Sequence, residues 1–284
     1  MSAPRVLVLT GVGINCEQEM AAAFDLAGGV PEIVHLSELL QGRVSLSDYP
    51  ILALPGGFSF GDNLGAGTAL AHRIRHRRLP DGKTLFRHLA SAIDAGAHVV
   101  GVCNGFQVLV ELGLLPNAGG TRAHEAALLP NLSGRFEDRW VEVGAHAKTA
   151  SRAFAALHGA ELPVRHGEGR LVFRDADVRD AVVQAGLNGL FYRGADGRPT
   201  EAYPANPNGS ELACAGLSDP TGRVIGLMPH PEAALSVYNH YDWPRRRLID
   251  PEFGEPGAGL ALFRAMVDAV ANHGVDRYER EEGL

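Results

Sequence analysis

Apolar residues in this chain fall into short unbroken runs separated by longer amphipathic stretches. Arg5–Thr10 (RVLVLT), Ile51–Leu54 (ILAL), Ala97–Val102 (AHVVGV) and Arg223–Met228 (RVIGLM) are dense in aliphatic side chains. They lack polar alternation, the pattern of strands covered on both faces. Glu32–Leu36 is a weaker strand of the same group. Between them the periodicity is helical. One helix is capped by Asn15, with Gln18 completing a capping box, and stops at Gly28-Gly29. Others span 82–95 and Asn104 to about Leu112, ending at Gly113. Strand and helix alternate, so the spacing predicts an α/β fold: a doubly wound, mostly parallel sheet flanked by helices. From 117 to 160 the rhythm loosens. Arg135–Val143 alternates like a half-exposed strand. Leu162–Phe173 has two apolar pieces around His166-Gly167-Glu168-Gly169, as in a hairpin or kinked loop. Asp175 opens a helix, Thr200–Ser210 is rich in turn residues, Glu211–Leu217 resumes a strand, and Gly257–His273 reads as a closing helix. No repeat or composition break divides the chain. A single domain over residues 1–273 with a charged tail at 274–284 is expected.

Composition narrows the function. Of 284 residues, 45% are hydrophobic and 21% charged, ordinary for a globular protein with a sizeable core. The formal net charge of −7 argues against a nucleic-acid backbone as the main partner. The basic run His72–Arg78 has no interleaved aromatics and reads as a solvated helix end. Three scattered cysteines, Cys16, Cys103 and Cys214, point to a reducing compartment. The first apolar run is too short for a signal-peptide core or a membrane span, so a cytoplasmic protein with no membrane partner is expected.

Chemistry concentrates at the ends of the strands. Gly101-Val102-Cys103-Asn104-Gly105 has the Gly-x-nucleophile-x-Gly pattern of a nucleophile elbow, with cysteine as nucleophile. The flanking glycines make room for a sharp strand-to-helix turn, and the helix N-terminus behind it favours a thiolate. Cys16 and Cys214 lie in no elbow and are expected to be dispensable. A cysteine nucleophile needs a base, and His230 ends an apolar strand as Cys103 does. In a parallel sheet both would reach one edge. Glu232, two residues on, could hold the imidazole tautomer. Pro55-Gly56-Gly57-Phe58-Ser59-Phe60-Gly61-Asp62 follows another strand and could supply oxyanion-hole amides. Its glycines would let such an amide rotate away at low cost. Two tempting motifs fail. Gly11-Val12-Gly13-Ile14-Asn15-Cys16 lacks the third glycine of a dinucleotide fingerprint, and Gly82-Lys83-Thr84 lacks the first glycine of a phosphate loop. No histidine shows metal-ligand spacing such as His-Glu-x-x-His, so no metal is expected.

The elbow, the Pro55–Asp62 loop, His166–Gly169, Asn206-Pro207-Asn208-Gly209-Ser210 and Met228-Pro229-His230-Pro231-Glu232 occur in one order. On these segments the chain resembles the class I glutamine amidotransferases, and among them the glutaminase subunits of phosphoribosylformylglycinamidine synthase, from Arg5 to about residue 270. The resemblance implies Cys103 as nucleophile, His230 as base and Glu232 as its orienting residue. It implies the amides of Gly57 and Asn104 as the oxyanion hole, and Gln107, His166, Gly167 and Glu168 as the glutamine pocket. The implied reaction is glutamine hydrolysis through a glutamyl thioester, with ammonia passed to a synthetase that makes the new amidine of purine biosynthesis. The implied partners are glutamine, that synthetase and, as a further candidate, a small bridging subunit. No cofactor is implied on this chain, ATP and magnesium being expected on the synthetase alone. Asn63–Gly67 is closer to the long single-chain form of the enzyme, and Ala233 stands where the family usually has arginine. The rival readings are an amidotransferase feeding another synthetase, a thiol hydrolase of similar fold, and a docking subunit without chemistry.

Overall fold

The computed structural model of the protein describes residues 3–281, with side chains through residue 272. Its strands are β1 (Arg5–Thr10), β2 (Val30–His35), β3 (Ile51–Leu54), β4 (His98–Val102), β5 (Ala126–Pro130), β6 (Glu137–Ala145), β7 (Glu161–His166), β8 (Glu168–Phe173), β9 (Leu190–Tyr192), β10 (Cys214–Ser218) and β11 (Val224–Leu227). The helices are α1 (Glu17–Leu26), α2 (Leu36–Leu40), α3 (Thr68–His76), α4 (Leu85–Asp94), α5 (Asn104–Glu111), α6 (Arg152–Ala155), α7 (Ala176–Ala185), α8 (Trp243–Ile249) and α9 (Leu260–Glu281).

Nine strands form one sheet in the order β2-β1-β3-β4-β11-β10-β9-β6-β7. The first five are parallel. From β11 onward each neighbour is antiparallel. Followed across the sheet, only β10 and β6 oppose the rest, so β7 points the same way as β4 and β11. Alternation along β1 shows why its run is apolar throughout. Leu7 and Leu9 share a cluster with Ile74 of α3 and Leu85 and Leu89 of α4. Val6 and Val267 of α9 instead meet over Gly29. Both faces are buried, so neither tolerates polar residues. The register aligns Leu54 with Gly101 and Leu227 with Val102. Gly56, Cys103 and Met228 therefore emerge level at the carboxyl edge, where doubly wound sheets bind ligands.

Four expectations change in detail. Of the two readings of Leu162–Phe173, hairpin or kinked loop, the hairpin fails: β7 pairs with β6, whereas β8 pairs with β5 in a separate two-stranded sheet. Gly167 carries the chain from one sheet to the other. Asn15 does not cap α1. Its backbone N–H and that of Cys16 both bond the Gly56 carbonyl, which turns the Asn15 side chain toward the Cys16 thiol and leaves Cys16 as the cap residue. Glu211–Ala213 forms a 3-10 turn before β10. The closing helix α9 runs past His273 to Glu281. The last three residues of the expected tail lie outside the described residues. Among the described residues no helix is long and apolar enough to cross a membrane.

Candidate active site

The elbow is built as its glycines require. A Cβ on Gly105 would lie 1.9 Å from the Leu54 carbonyl oxygen, and one on Gly101 would lie 2.5 Å from the Gly105 carbonyl oxygen. Strand β3, strand β4 and helix α5 pack too closely for any side chain there. Cys103 itself takes φ 51° and ψ −105°, a strained conformation for a residue with a Cβ. Its N–H is held by the Leu227 carbonyl at 2.8 Å. The thiol, 6% exposed, donates to the Arg165 carbonyl at the end of β7 at 3.6 Å.

His230 and Glu232 are each 3% exposed. The His230 N–H donates to the Pro163 carbonyl of β7 at 2.8 Å, and Nδ1 lies 2.7 Å from Glu232 Oε1. Burial disfavours the imidazolium, but the charge of Glu232 and contacts with the Cys103 and Cys16 thiols and the Glu232 carboxylate outweigh it, so the pKa is raised well above the usual histidine value. Nε2 makes no well-aligned hydrogen bond.

The loop after β3 forms the next wall. Gly57 has φ +145°, and a Cβ there would strike Gly13 and Ile14. The loop is zipped against the one after β1: Asn15 and Cys16 N–H groups bond Gly56 O, Phe58 N–H bonds Gly13 O, and Phe60 N–H bonds Val12 O. Rotation of the Gly57 peptide is therefore not cheap by itself, because the partner loop must move too. Asn104 supplies the first amide of α5, one of those a helix leaves without an intrahelical acceptor. Its side chain accepts from Ser59 N–H at 3.2 Å and donates to Gln107 Oε1 at 3.0 Å. Gln107 Nε2 donates to the Glu168 carbonyl at 2.5 Å, and Glu168 Oε2 accepts from Ala66 N–H. Both ends of the Gln107 amide are thus engaged within the protein, as a strut joining α5 to β8.

His166 is 2% exposed. Asn131 organises it: Nδ2 donates to the carbonyls of His166 and Arg135, so Oδ1 is the acceptor for Gly169 N–H and for His166 Nδ1. His166 therefore carries its proton on Nδ1. Burial, with His230 nearby, lowers its pKa to about 4, and Nε2 is left as a buried acceptor without a partner. Gly167 accepts from Asn131 N–H through its carbonyl. Asn208 and Ser210 clamp the same stretch from behind, Ser210 Oγ bonding Gly169 O and Leu171 N–H.

Comparison with known proteins shows the family. Residues 3–269 match the CobB/CobQ-like glutamine amidotransferase domain. The phosphoribosylformylglycinamidine synthase subunit PurQ of Methanococcus maripaludis is 36% identical over 277 residues, covering 93% of this chain and 98% of that protein. The subunit of the same name from Dehalococcoides mccartyi is 37% identical over 264 residues, with 93% and 96% covered. The chain belongs to the PurQ family of glutamine amidotransferases. A chain in the structure of PurLQS from Thermotoga maritima superposes with a TM-score of 0.67 at 28% identity, covering 94% of this chain and 99% of that one.

In this amidotransferase, Cys103, His230, Glu232, Gly57, Asn104, Gln107, His166, Gly167 and Glu168 all gather at the carboxyl edge of the sheet. Sequence reasoning passed over two residues there. Asn131 sits where the strand rhythm loosens, and only the four hydrogen bonds of its side chain mark it. Cys16 lies in no elbow, yet the zipped loops bring it beside His230. A Cβ on Gly56 would be 2.8 Å from His230 Cε1 and 3.2 Å from Cys16 Sγ. The near-miss glycine motif at 11–16 was the available signal: it builds a wall of this site.

Proposed function

We propose that Cys103, His230 and Glu232 of this amidotransferase hydrolyse glutamine, as the glutaminase subunit of a phosphoribosylformylglycinamidine synthase. The observation that carries the assignment of roles is the elbow thiol in contact with a buried imidazole that is held 2.7 Å from a buried carboxylate. Cys103 Sγ attacks the glutamine carboxamide carbon, and its proton passes to His230. The oxyanion that forms is held by the amides of Gly57 and Asn104. As the C–N bond breaks, His230 returns the proton to the leaving nitrogen, and ammonia departs from a glutamyl thioester. Water, deprotonated by His230, then attacks the thioester carbonyl, and the C–S bond breaks to give glutamate and free thiol. Glu232 keeps the imidazole oriented and balances its charge. His166–Glu168, with Gln107 bracing them, wall the glutamine pocket.

The ammonia goes to the synthetase subunit, which forms the amidine of phosphoribosylformylglycinamidine in purine biosynthesis. ATP and magnesium act on that subunit, and a small bridging subunit would complete the assembly. We place the enzyme in the cytoplasm, where the three free cysteines stay reduced.

The test is Cys103→Ala in the complex with the synthetase. Glutamine-dependent amidine formation is expected to vanish while ammonia-dependent formation persists, because the thiol releases ammonia but does not use it. A variant that used glutamine as well as wild type would overturn the nucleophile. A chain that released no glutamate with its synthetase would favour a docking role.

A further inference from the structure

The group beside His230 holds more than glutaminolysis uses. Cys16 Sγ, an imidazole nitrogen of His230 and a carboxylate oxygen of Glu232 all lie within 4.8 Å of one another. Glu232 Oε2 is buried and has no hydrogen-bond partner. Cys16 is only half-buried, so the group opens toward solvent on its side. Gly56 keeps the gap between sulfur and imidazole clear, since any side chain there would fill it. One sulfur, one imidazole nitrogen and one carboxylate oxygen form a donor set that suits zinc, with bonds of about 2.3, 2.0 and 2.0 Å. Side-chain rotations bring three atoms already this close around one ion. The three residues come from two distant loops, which is why no spacing motif announced them.

We propose that Cys16, His230 and Glu232 form an inhibitory site for a thiophilic divalent cation such as zinc. This rests on the reading of His230 as the base. The ion takes the Nδ1 side of the ring, where Glu232 Oε1 already sits. Starting from the neutral imidazole with its proton on Nδ1 and the Cys16 thiol, binding releases one proton in net, the one from sulfur, while the ring proton gives up Nδ1 to the metal. Bonds form to Sγ, Nδ1 and a Glu232 oxygen, and the fourth position of the tetrahedron is left to water. The ring proton then resides on Nε2. A neutral imidazole with metal on one nitrogen and hydrogen on the other cannot accept the Cys103 proton, so thioester formation stops. Cys103 is not among the ligands.

Two measurements test this on the chain in complex with its synthetase. First, glutamate release is followed against buffered free Zn²⁺ for wild type, Cys16→Ser and Cys16→Ala, each normalised to its own metal-free rate. Zinc is expected to inhibit wild type. Either substitution should raise the half-inhibitory concentration at least about tenfold, since losing a ligand costs no less than losing one of its supports. Equal sensitivity of wild type and both variants would overturn the proposal. Second, Co²⁺ is added and thiolate-to-cobalt charge-transfer absorption is recorded. The band is expected to persist in Cys103→Ser and to disappear in Cys16→Ser. The reverse pattern, or no band at all, would also overturn the site. This readout needs no turnover, so a failed cation site is distinguishable from a wrongly assigned base.

Discussion

At His230, burial and charge pull in opposite directions. Desolvation would strip the ring of its proton, but Glu232 at 2.7 Å, with two thiols nearby, holds it on. In the proposed mechanism the base is thus tuned by one neighbouring carboxylate. We expect His230→Ala to lower glutamate release by about 10³-fold, the scale of a lost general base, and Glu232→Ala to lower it less. A larger loss at Glu232 would show the roles reversed. His166 behaves in the opposite sense. Its pKa is lowered to about 4, whereas an unfolded histidine takes a proton below about 6.5. Between those values the unfolded chain binds more protons, so stability falls as pH drops from about 6.5 to about 4. The contribution over the span is about 3 kcal/mol. In denaturant titrations across that range, His166→Gln should show a flatter loss of stability than wild type. Parallel slopes would mean that His166 is not held neutral. Both roles were half legible in the sequence. Residue type and position at a strand end singled out His230 and Glu232, but the direction of each shift depends on burial and on partners such as Asn131.

Among the elements, those whose environment is local came through almost unchanged. Strands β1 and β3 have the expected bounds because apolar β-branched and leucine runs suit a strand covered on both faces. Asp175 opens α7 as expected and caps it through its side chain, whereas α4 begins at Leu85, three residues later than expected, with Thr84 as its cap. Elements whose pairing is non-local were less legible. The glycine between β7 and β8 looks like a hairpin turn, yet the strands separate into two sheets because each finds a better partner elsewhere. That separation matters for the site. It lets β7 deliver the Arg165 carbonyl to Cys103 while β8 offers the Glu168 carbonyl to Gln107. The Asn15 cap failed for the same reason, since the loop after β1 spends its amides on Gly56.

For the whole molecule, the two zipped loops are the natural point of control. The Gly57 amide cannot turn without the loop that carries Cys16, so a partner that touches either loop sets both. Ammonia released without a receiver is wasted, which favours a glutaminase organised only when docked. We expect the synthetase to raise glutaminase activity at least about tenfold, roughly 1.4 kcal/mol of transition-state stabilisation. Glutamate release should be compared for the chain alone, with synthetase, and with synthetase plus its nucleotide and acceptor. Equal rates in all three would rule out partner control and leave the triad intact. At this scale the sequence by itself determined the doubly wound class, the elbow turn and the strand-end placing of the residues proposed as base and carboxylate. Each is written in local pattern: apolar runs, paired glycines, a His-Pro-Glu turn at a strand end. Only the tertiary structure decided that β7 joins the sheet running with β4, that Asn131 fixes the His166 tautomer, and that Cys16 stands beside His230. Those facts depend on long-range pairing and on hydrogen bonds between segments far apart in the chain, which no local pattern encodes.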